Sequence, residues 1–352
     1  MMSLRWVCLI LGVLGVTLMA AQNQQQEPTL RHAAEARGKL IGFAMARGAV
    51  RKGEKAYLDT AAREFNVIVA ENSMKFGLVC PKARGVYDFN DADAIVEFAH
   101  TNGMKVRGHA LLWHNQQPKW LAEDEWTKQE MTDIVGENIT TMLGRYKGKV
   151  YAWDVVNEAI SDSNDANDVY RKTNYYDAIG SEYIDLAFKL ARGADPNAKL
   201  FYNDYGCDFG GIKFEKMFNM VKGMKERGIP IDGVGFQMHL GFYAEGQSAK
   251  MVECFRRLKE LGLEVQITEM DVAVELPCDG TKLQKQAEIY RQIVEAACKE
   301  SNCTAILLWG FTDKHSWIPG FSQGKNGCAL LFDENYKPKP AYSAVLDALK
   351  DK

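Results

Sequence analysis

Short apolar runs recur along the chain and alternate with stretches in which apolar residues return every three or four positions. Short runs rich in Val, Ile and Phe are typical of buried strands, whereas the longer spacing is typical of amphipathic helices. The pattern therefore predicts eight strands, at 40–45, 65–70, 105–113, 151–158, 199–204, 233–239, 263–269 and 305–311.

Helical spacing occupies most of the intervals between these runs. The predicted helices are 54–64, 92–101, 129–146, 182–191, 213–226, 249–261, 283–298 and 341–349. Alternation of strands and helices in this number predicts an α/β fold, a (β/α)8 TIM barrel. No spacer or second module interrupts the pattern, so we expect a single catalytic domain over residues 28–352.

The first residues have the composition of a targeting segment. Arg5 precedes an apolar stretch over 6–18, and small residues follow it. This order is typical of a secretory signal peptide, and the apolar stretch is too short to span a bilayer. We therefore expect a signal peptide over 1–21, a polar leader over 22–27, and a secreted, extracellular protein.

Charge and composition narrow the class of partner. The 352 residues include 43 Lys and Arg against 46 Asp and Glu, a net charge of −3. This balance argues against binding to nucleic acid or to an anionic membrane surface. Aromatic residues make up 11% of the chain, with 7 Trp. Aromatic faces stack on the apolar faces of sugar rings, although most aromatic side chains fill cores.

Cysteine usage fits a secreted chain. The sequence has 8 cysteines, and removal of Cys8 with the signal peptide leaves an odd number, so at least one stays unpaired. Cys298 and Cys303 would close a short loop and are the predicted disulfide. The chain has no C-x-x-C pair for structural zinc. Asn138 and Asn302 fit the N-glycosylation pattern.

Polar side chains follow the predicted strands at their carboxyl ends, where barrel enzymes build their active sites. Glu158 and Glu269 end two of these strands. A single strand-end glutamate would favour a structural ion pair, but two carboxylates at one end of a barrel form the arrangement that glycosidic bond cleavage requires. The other strand-end polar residues are Glu71, Asn72, His109, His114, Asn157, Asn203, Asp204, Gln237, His239 and Asp271.

Several motifs at these strand ends resemble those of glycoside hydrolase family 10, the endo-β-1,4-xylanases. The resemblance covers nearly the whole chain after the signal peptide and is carried by motifs in the family's order. They are Glu71-Asn-Ser-Met-Lys75, His109-Ala-Leu-Leu-Trp-His114 with Gln116 and Pro118, Trp153-Asp-Val-Val-Asn-Glu158, Asn203-Asp-Tyr205, Asp232-Gly-Val-Gly-Phe-Gln-Met-His239, Ile267-Thr-Glu-Met-Asp271 and Trp309-Gly-Phe-Thr-Asp-Lys-His-Ser-Trp317.

The resemblance implies roles for individual residues. It implies that Glu158 is the general acid/base, that Glu269 is the nucleophile, and that His239 holds the nucleophile ionised. Asn157 resembles the amide that binds the 2-hydroxyl of the reacting sugar. The substrate-binding residues that the resemblance implies are Glu71, Asn72, Lys75, His109, Trp113, Gln116, Asn157, Gln237, His239, Trp309 and Trp317.

The chain departs from the family pattern at three positions near the site. Phe76 stands where Trp is common, Gly206 where Asn often follows the Asp-Tyr pair, and Ile318 where Arg often follows the last Trp. None of them touches the reacting carboxylates. The departures bear on the choice among decorated and branched xylans.

The chemistry that the resemblance implies is hydrolysis of internal β-1,4 bonds of xylan with retention of configuration. Glu158 must carry a proton while Glu269 is ionised, and repulsion between neighbouring carboxylates favours that division. Covalent attack by Glu269 requires carboxyl groups roughly 5–5.5 Å apart. We expect no cofactor, no metal and a monomer, with xylan as the partner.

Three other functions remain open from the sequence. A β-1,4-glucanase would use the same fold. A cleft crowded near Trp309 and Trp317 would exclude its substrate, because glucose carries a hydroxymethyl group that xylose lacks. A non-catalytic sugar-binding barrel would have no need for both Glu158 and Glu269. A metal-dependent hydrolase would need a ligand set, which the spacing of the histidines does not supply.

Overall fold

A computed structural model describes residues 28–350 as a closed barrel of eight parallel strands surrounded by helices. The predicted signal peptide and leader lie outside these residues. The TIM-barrel prediction is confirmed. The barrel strands are β1 (Leu40–Ala44), β2 (Val67–Val69), β3 (Lys105–Gly108), β4 (Ala152–Asn157), β5 (Lys199–Asp204), β6 (Gly233–Phe236), β7 (Glu264–Val272) and β8 (Cys303–Leu308).

The strands pair in chain order, and β8 pairs in parallel with both β1 and β7, which closes the barrel. Closure leaves no free edge among these strands. All residues of β4 are buried, because one face points into the barrel and the other is covered by helices. Three short strands lie outside this count: His239–Leu240, Val274–Glu275 and Asn326–Gly327.

Three predicted strands, 105–113, 233–239 and 305–311, end three or more residues before their apolar runs do, and the last of them stops at Leu308. The run 105–113 leaves strand geometry after Gly108, where a cis peptide joins His109 and Ala110. The run 233–239 breaks after Phe236 because Met238 has a left-handed φ of 59°. In the first two of these places the chain turns where it meets the end of the barrel.

All eight predicted helices are present with small shifts at their ends. The α-helices are Leu30–Ala36, Arg47–Arg51, Lys55–Glu64, Phe76–Val79, Asn90–Thr101, Lys119–Ala122, Lys128–Tyr146, Asn174–Ile179, Glu182–Ala194, Gly211–Glu226, Ser248–Glu260, Gly280–Lys299, Ile318–Phe321 and Pro340–Lys350, with short 3-10 helices at Phe242–Ala244 and Asp313–His315. The pattern missed the short ones, which contain too few turns to show a period.

The helix Lys128–Tyr146 shows why the pattern was informative. Thr127 accepts a hydrogen bond from the backbone of Glu130, and Glu130 accepts one from the backbone of Thr127, which is a capping box. Met131, Ile134 and Val135 recur at helical spacing and are buried against the barrel. The cap fixes where the helix begins, and the apolar stripe fixes which face packs.

The predicted disulfide is wrong. Cys298 and Cys303 are both buried free thiols. The disulfide instead joins Cys278 to Cys328, 50 residues apart. The strands Val274–Glu275 and Asn326–Gly327 pair antiparallel just before these cysteines and bring them together. The prediction favoured two cysteines that are close in sequence, whereas the fold brings together two that are far apart in sequence.

Both asparagines that fit the N-glycosylation pattern are buried in the folded chain. Asn138 is 1% exposed, and its Nδ2 donates to the carbonyl of Leu111 at 2.8 Å. Asn302 is buried, and its Nδ2 donates to the carbonyl of Phe255 at 2.9 Å. The nitrogen that a glycan would modify is therefore enclosed and hydrogen-bonded at both positions. Within residues 28–350, none of the helices has the length and apolar character needed to cross a membrane.

Candidate active site

Glu158 and Glu269 lie at the same end of the barrel. Glu158 directly follows β4, and Glu269 lies in β7, which continues to Val272. Their exposed fractions are 8% and 4%, so both carboxylates are largely withdrawn from water. Buried carboxylates are costly unless other groups compensate for the lost hydration. The surrounding side chains supply that compensation.

A network of side-chain amides links the two carboxylates. Asn203 Nδ2 donates to Glu269 Oε1 at 2.8 Å and to Asn157 Oδ1 at 2.9 Å. Asn157 Nδ2 donates to Glu158 Oε1 at 3.2 Å, and Gln237 Nε2 donates to the same oxygen at 2.9 Å. The two glutamates therefore share one connected set of hydrogen bonds. Their side chains cannot shift independently of each other.

His239 lies between Glu269 and a second carboxylate. Its Nε2 is 3.2 Å from Glu269 Oε2, and its Nδ1 is 3.0 Å from Asp271 Oδ2. Because ionised carboxylates only accept hydrogen bonds, both ring nitrogens act as donors. Burial alone would lower the pKa of His239, but Asp271 and then Glu269 outweigh it and raise that pKa to about 10. His239 is thus a cation at neutral pH.

Glu269 is held ionised by its neighbours. Burial would raise its pKa, but the hydrogen bond from His239 and the nearby His109, His239 and Lys75 lower the pKa to about 2. The opposing effects show that local charge and hydrogen bonding, not exposure to water, stabilise the carboxylate. An ionised carboxylate that is partly stripped of water is suited to attack an electrophilic carbon.

A buried ion pair between β3 and β4 is linked to Glu269 through His109. Arg107 makes a bidentate ion pair with Asp154, and its Nε donates to Gln266 at 2.9 Å. Asp154 Oδ2 also lies 2.9 Å from His109 Nδ1, which is 3.9 Å from Glu269 Oε1. Asp154 thereby fixes the orientation of the His109 ring next to Glu269.

Glu158 has different surroundings. Trp113 Nε1 donates to Glu158 Oε2 at 2.8 Å, and His114 Nδ1 lies 3.9 Å from the same oxygen. Burial lowers the pKa of His114, and the charge of Glu158 only partly opposes that effect. Burial therefore favours the neutral form of His114 beside Glu158, whereas His239 beside Glu269 is a cation. The two carboxylates lie in electrostatically distinct sites.

The backbone at Glu158 is held in an unusual conformation. Its φ is 57°, in the left-handed region that costs non-glycine residues about 1–3 kcal/mol. Arg171 Nε donates to the Glu158 carbonyl at 3.0 Å, and Tyr202 Oη accepts hydrogen bonds from the backbone of Ala159 and Ile160. These contacts hold the turn that follows β4.

Lys75 connects the acidic centre to the aromatic walls. It is buried, and its Nζ donates to Asn72 Oδ1 at 2.8 Å. The same nitrogen lies 4.5 Å from the ring centroid of Trp113 and 5.5 Å from that of Trp309. Burial lowers the pKa of Lys75, and the nearby carboxylates oppose that shift. Burial likewise raises the pKa of Glu71, which Lys75 partly offsets.

Gln116 stands apart from this network. Its side chain is exposed, its φ is 46°, and its carbonyl accepts a hydrogen bond from Gly77 at 2.8 Å. Trp317, by contrast, donates from Nε1 to Asp271 Oδ2 at 2.8 Å. The structure therefore gathers the other sequence-predicted residues around the carboxylates and leaves the Gln116 side chain at the surface.

Some residues that organise this site had no individual role predicted from the sequence. Asn203 and Asp271 were recognised only as members of strand-end motifs, yet Asn203 links the glutamates and Asp271 anchors both His239 and Trp317. Arg107 and Asp154 lie inside strands, where charge is expensive unless it is paired. Two opposite charges within neighbouring apolar runs were the available signal. Among residues 28–350, no cluster of three or more His, Cys, Asp or Glu side chains is arranged to hold a metal ion.

Comparison with known proteins is consistent with this geometry. Residues 29–348 match the model of Glycosyl hydrolase family 10. The chain is 43% identical over 330 residues to endo-1,4-beta-xylanase B of Thermotoga neapolitana, covering 93% of each chain. It is 42% identical over 303 residues to a beta-1,4-xylanase of Dictyoglomus thermophilum, covering 82% of this chain and 84% of the relative.

Solved structures give the same result. Native xylanase 10B from Thermotoga maritima superposes with a TM-score of 0.87 at 44% identity, covering 92% of this chain and 98% of that one. Xylanase 10B from Thermotoga petrophila RKU-1, solved in complex with xylobiose, gives the same values. The match over nearly the full domain, with paired carboxylates at the barrel's active end, shows that the chain is a glycoside hydrolase that belongs to glycosyl hydrolase family 10.

Proposed function

We propose that this protein is a secreted endo-β-1,4-xylanase that hydrolyses internal bonds of xylan with retention of configuration. The observation that carries the proposal is the pairing of Glu158 with Glu269 through shared amides, with Glu269 kept ionised by His239. The names of the T. neapolitana and D. thermophilum relatives and the xylobiose in the T. petrophila structure support the choice of xylan.

In the first step, Glu269 attacks the anomeric carbon while the bond to the leaving sugar oxygen breaks. Glu158 gives its proton to that oxygen, so the aglycone leaves as an alcohol and a covalent glycosyl-enzyme remains. The attack neutralises the charge of Glu269, and Glu158 is left as a carboxylate. His239 and Asn203 contact Glu269 before attack and so position its oxygens.

In the second step, Glu158 takes a proton from a water molecule, and that oxygen attacks the anomeric carbon. The bond to Glu269 breaks and its carboxylate is restored, while the sugar keeps its original configuration. Both carboxylates return to their starting protonation states. Trp113 and Gln237, which donate to Glu158, hold its carboxyl group in place for both proton transfers.

Lys75, Trp113, Trp309 and Trp317 supply polar and aromatic surface around the carboxylates. We assign them, with Glu71, Asn72, His109 and Asn157, to sugar binding. A pyranose ring offers hydroxyls at its edge and C–H groups on its faces, so it needs both kinds of surface. The combination of a buried ammonium with indole rings at 4.5 and 5.5 Å fits that need.

Parallel assays on xylan and carboxymethylcellulose test the substrate assignment. We expect reducing sugar from xylan together with a rapid early fall in viscosity, which marks internal cleavage. Preferential action on carboxymethylcellulose would assign a glucanase instead, and no release from either substrate would leave a sugar-binding barrel. NMR of the first-formed product should show the β-anomer, whereas an initial α-anomer would refute retention.

Secretion is a separate part of the proposal. It rests on the charged, apolar and small-residue order of residues 1–21. Expression of the full chain in a secreting host should deliver activity to the medium, with a mature N-terminus near Gln22. Retention of the uncleaved chain inside the cell would contradict it.

A further inference from the structure

Two large aromatic side chains beside the active site face solvent. Phe321 is 74% exposed and Tyr243 is 65% exposed. Apolar surface left in water is unfavourable, so an exposed aromatic pair next to a binding cleft requires an explanation. Neither residue belongs to the motifs that carried the family resemblance.

Phe321 lies at the outer end of a chain of contacts that starts at Glu269. His239 contacts Glu269 at 3.2 Å, and its ring centroid lies 4.9 Å from that of Trp317. The Trp317 ring centroid lies in turn 4.7 Å from that of Phe321. Tyr243 joins the same group from another loop, since its hydroxyl donates to the His239 carbonyl at 2.9 Å. Phe321 therefore continues the line of ring contacts that starts at His239, and Tyr243 contacts the backbone of the same histidine.

Phe321 is presented by an anchored element. It ends the short helix Ile318–Phe321, whose first residue is buried in a small cluster with Ala329 and Leu330. Trp317 packs against the same cluster. The disulfide Cys278–Cys328 lies next to this cluster along the chain. An anchored base with an exposed ring is the arrangement expected of a binding platform and not of a frayed loop.

We propose that Phe321 forms a further sugar-binding position, at which a pyranose ring of a longer xylan chain stacks beyond the sugar ring that Trp317 contacts, with Tyr243 contributing from the loop that follows His239. The inference rests on the proposed function and names where a long substrate gains additional contact. Aromatic rings bind the apolar faces of sugars, and the platform is continuous with the cleft that holds the same polysaccharide. Longer chains would then be bound more tightly than short ones.

The test compares kcat/KM along a series from xylobiose to xylohexaose. For Phe321→Ala, the ratio of the value for xylohexaose to that for the shortest hydrolysed member should fall about three- to tenfold, as loss of one stacking contact implies. Phe321→Trp should restore the ratio. Val86→Ala, which alters another exposed apolar side chain outside the site, is the matched control.

The outcomes separate the inference from the proposed function. An unchanged ratio in Phe321→Ala, or an equal loss at every chain length, overturns the platform while the xylanase assignment stands. Absence of xylan hydrolysis in the natural chain overturns the proposed function before the ratio is measured. Thermal unfolding of each variant checks that the fold is kept, and Tyr243→Ala should reproduce the length dependence more weakly.

Discussion

The imidazole of His239 lies between two carboxylates that are largely withdrawn from water, and it compensates for the hydration that Glu269 loses. Burial alone would raise the pKa of Glu269, yet its pKa is lowered to about 2. The contact at 3.2 Å from His239 is the main cause of that reversal. Among its neighbours, His239 contributes most to keeping the proposed nucleophile ionised, with His109 and Lys75 adding to its effect.

Replacement of His239 by Asn should change the pH dependence of the enzyme. Without the imidazolium, burial is opposed by fewer charges, so the pKa of Glu269 should rise from about 2. Glu269 would then be protonated over part of the acidic range. The acid limb of kcat/KM should move to higher pH by at least about one unit. Profiles measured on an aryl xylobioside test this.

His100→Asn is the control for that profile, because His100 lies exposed on the outer helix Asn90–Thr101. The acid limb of the kcat/KM profile of His100→Asn should match that of the natural chain. An unshifted acid limb in His239→Asn would show that His239 does not control the charge of Glu269.

Alanine at the two glutamates should give different kinetic defects. Glu269→Ala should abolish turnover on every substrate, since no bond can form to the sugar. Glu158→Ala should keep a burst of product from a substrate with a good leaving group, because that leaving group needs no proton. Its second step should slow by about 10²–10⁴-fold, the usual contribution of general base catalysis. Stopped-flow measurement of the burst separates the two, and near-normal xylan hydrolysis by Glu269→Ala would refute the assignment.

The sequence identified the two reacting glutamates more readily than the buried ion pair that lies near them. Glu158 and Glu269 stood out because each interrupts an apolar run, and burial of a carboxylate needs a reason. The ion pair of Arg107 with Asp154 did not stand out, because the two residues come from different strands. Which charged groups meet depends on strand register, which the pattern does not specify.

The neighbouring strands β5 and β6 approach closely at the active end of the barrel. A Cβ added at Gly235 would lie 2.2 Å from Asn203 Oδ1 and 2.8 Å from the side chain of Thr268. Asn203 is the amide that donates to both Glu269 and Asn157. Because Gly235 has no side chain, Asn203 can occupy the position from which it links the two glutamates.

Gly235→Ala should consequently impair catalysis. The new methyl group must displace Asn203, and we expect kcat/KM on xylan to fall at least about tenfold, as a misplaced catalytic group implies. Gly144→Ala is the control, because Gly144 lies in the helix Lys128–Tyr146 with open space around the added Cβ. That substitution should stabilise the fold by about 0.5–1 kcal/mol with unchanged activity. Full activity in Gly235→Ala would show that Asn203 does not depend on this packing.

The type and order of the major elements could be read from the sequence, but their ends could not. Helical spacing predicted the helix Lys128–Tyr146 to within one residue at its start. The strands β3 and β6 end before their apolar runs do, at His109 and Met238. Those turns are held by contacts with other strands, so local propensity carries no signal for them.

For the molecule as a whole, alternation of elements was sufficient to predict the barrel, because parallel strands with intervening helices have few ways to close. The disulfide was not predictable in the same way. Cys278 and Cys328 lie 50 residues apart and meet through two short strands. Sequence spacing favours near neighbours such as Cys298 and Cys303, which remain free thiols.

Removal of this disulfide should destabilise the protein without disabling it. Replacement of both Cys278 and Cys328 by Ala should lower the free energy of unfolding by roughly 2–4 kcal/mol, since the closed loop restricts the unfolded chain. Denaturant titration measures the change. Reducing agent should lower the melting temperature of the natural chain and leave that of the double variant unchanged. A response of the double variant to reductant would indicate a second disulfide.

In the proposed mechanism, Glu269 bonds covalently to the sugar during turnover. An activated 2-deoxy-2-fluoro β-xylobioside slows the second step, so the intermediate accumulates and can be weighed as intact protein and mapped by peptide mass spectrometry. We predict one added glycosyl group, located on the peptide that contains Glu269 and absent from Glu269→Ala. A label on another residue, or hydrolysis of xylan with no labelled protein, would contradict this mechanism.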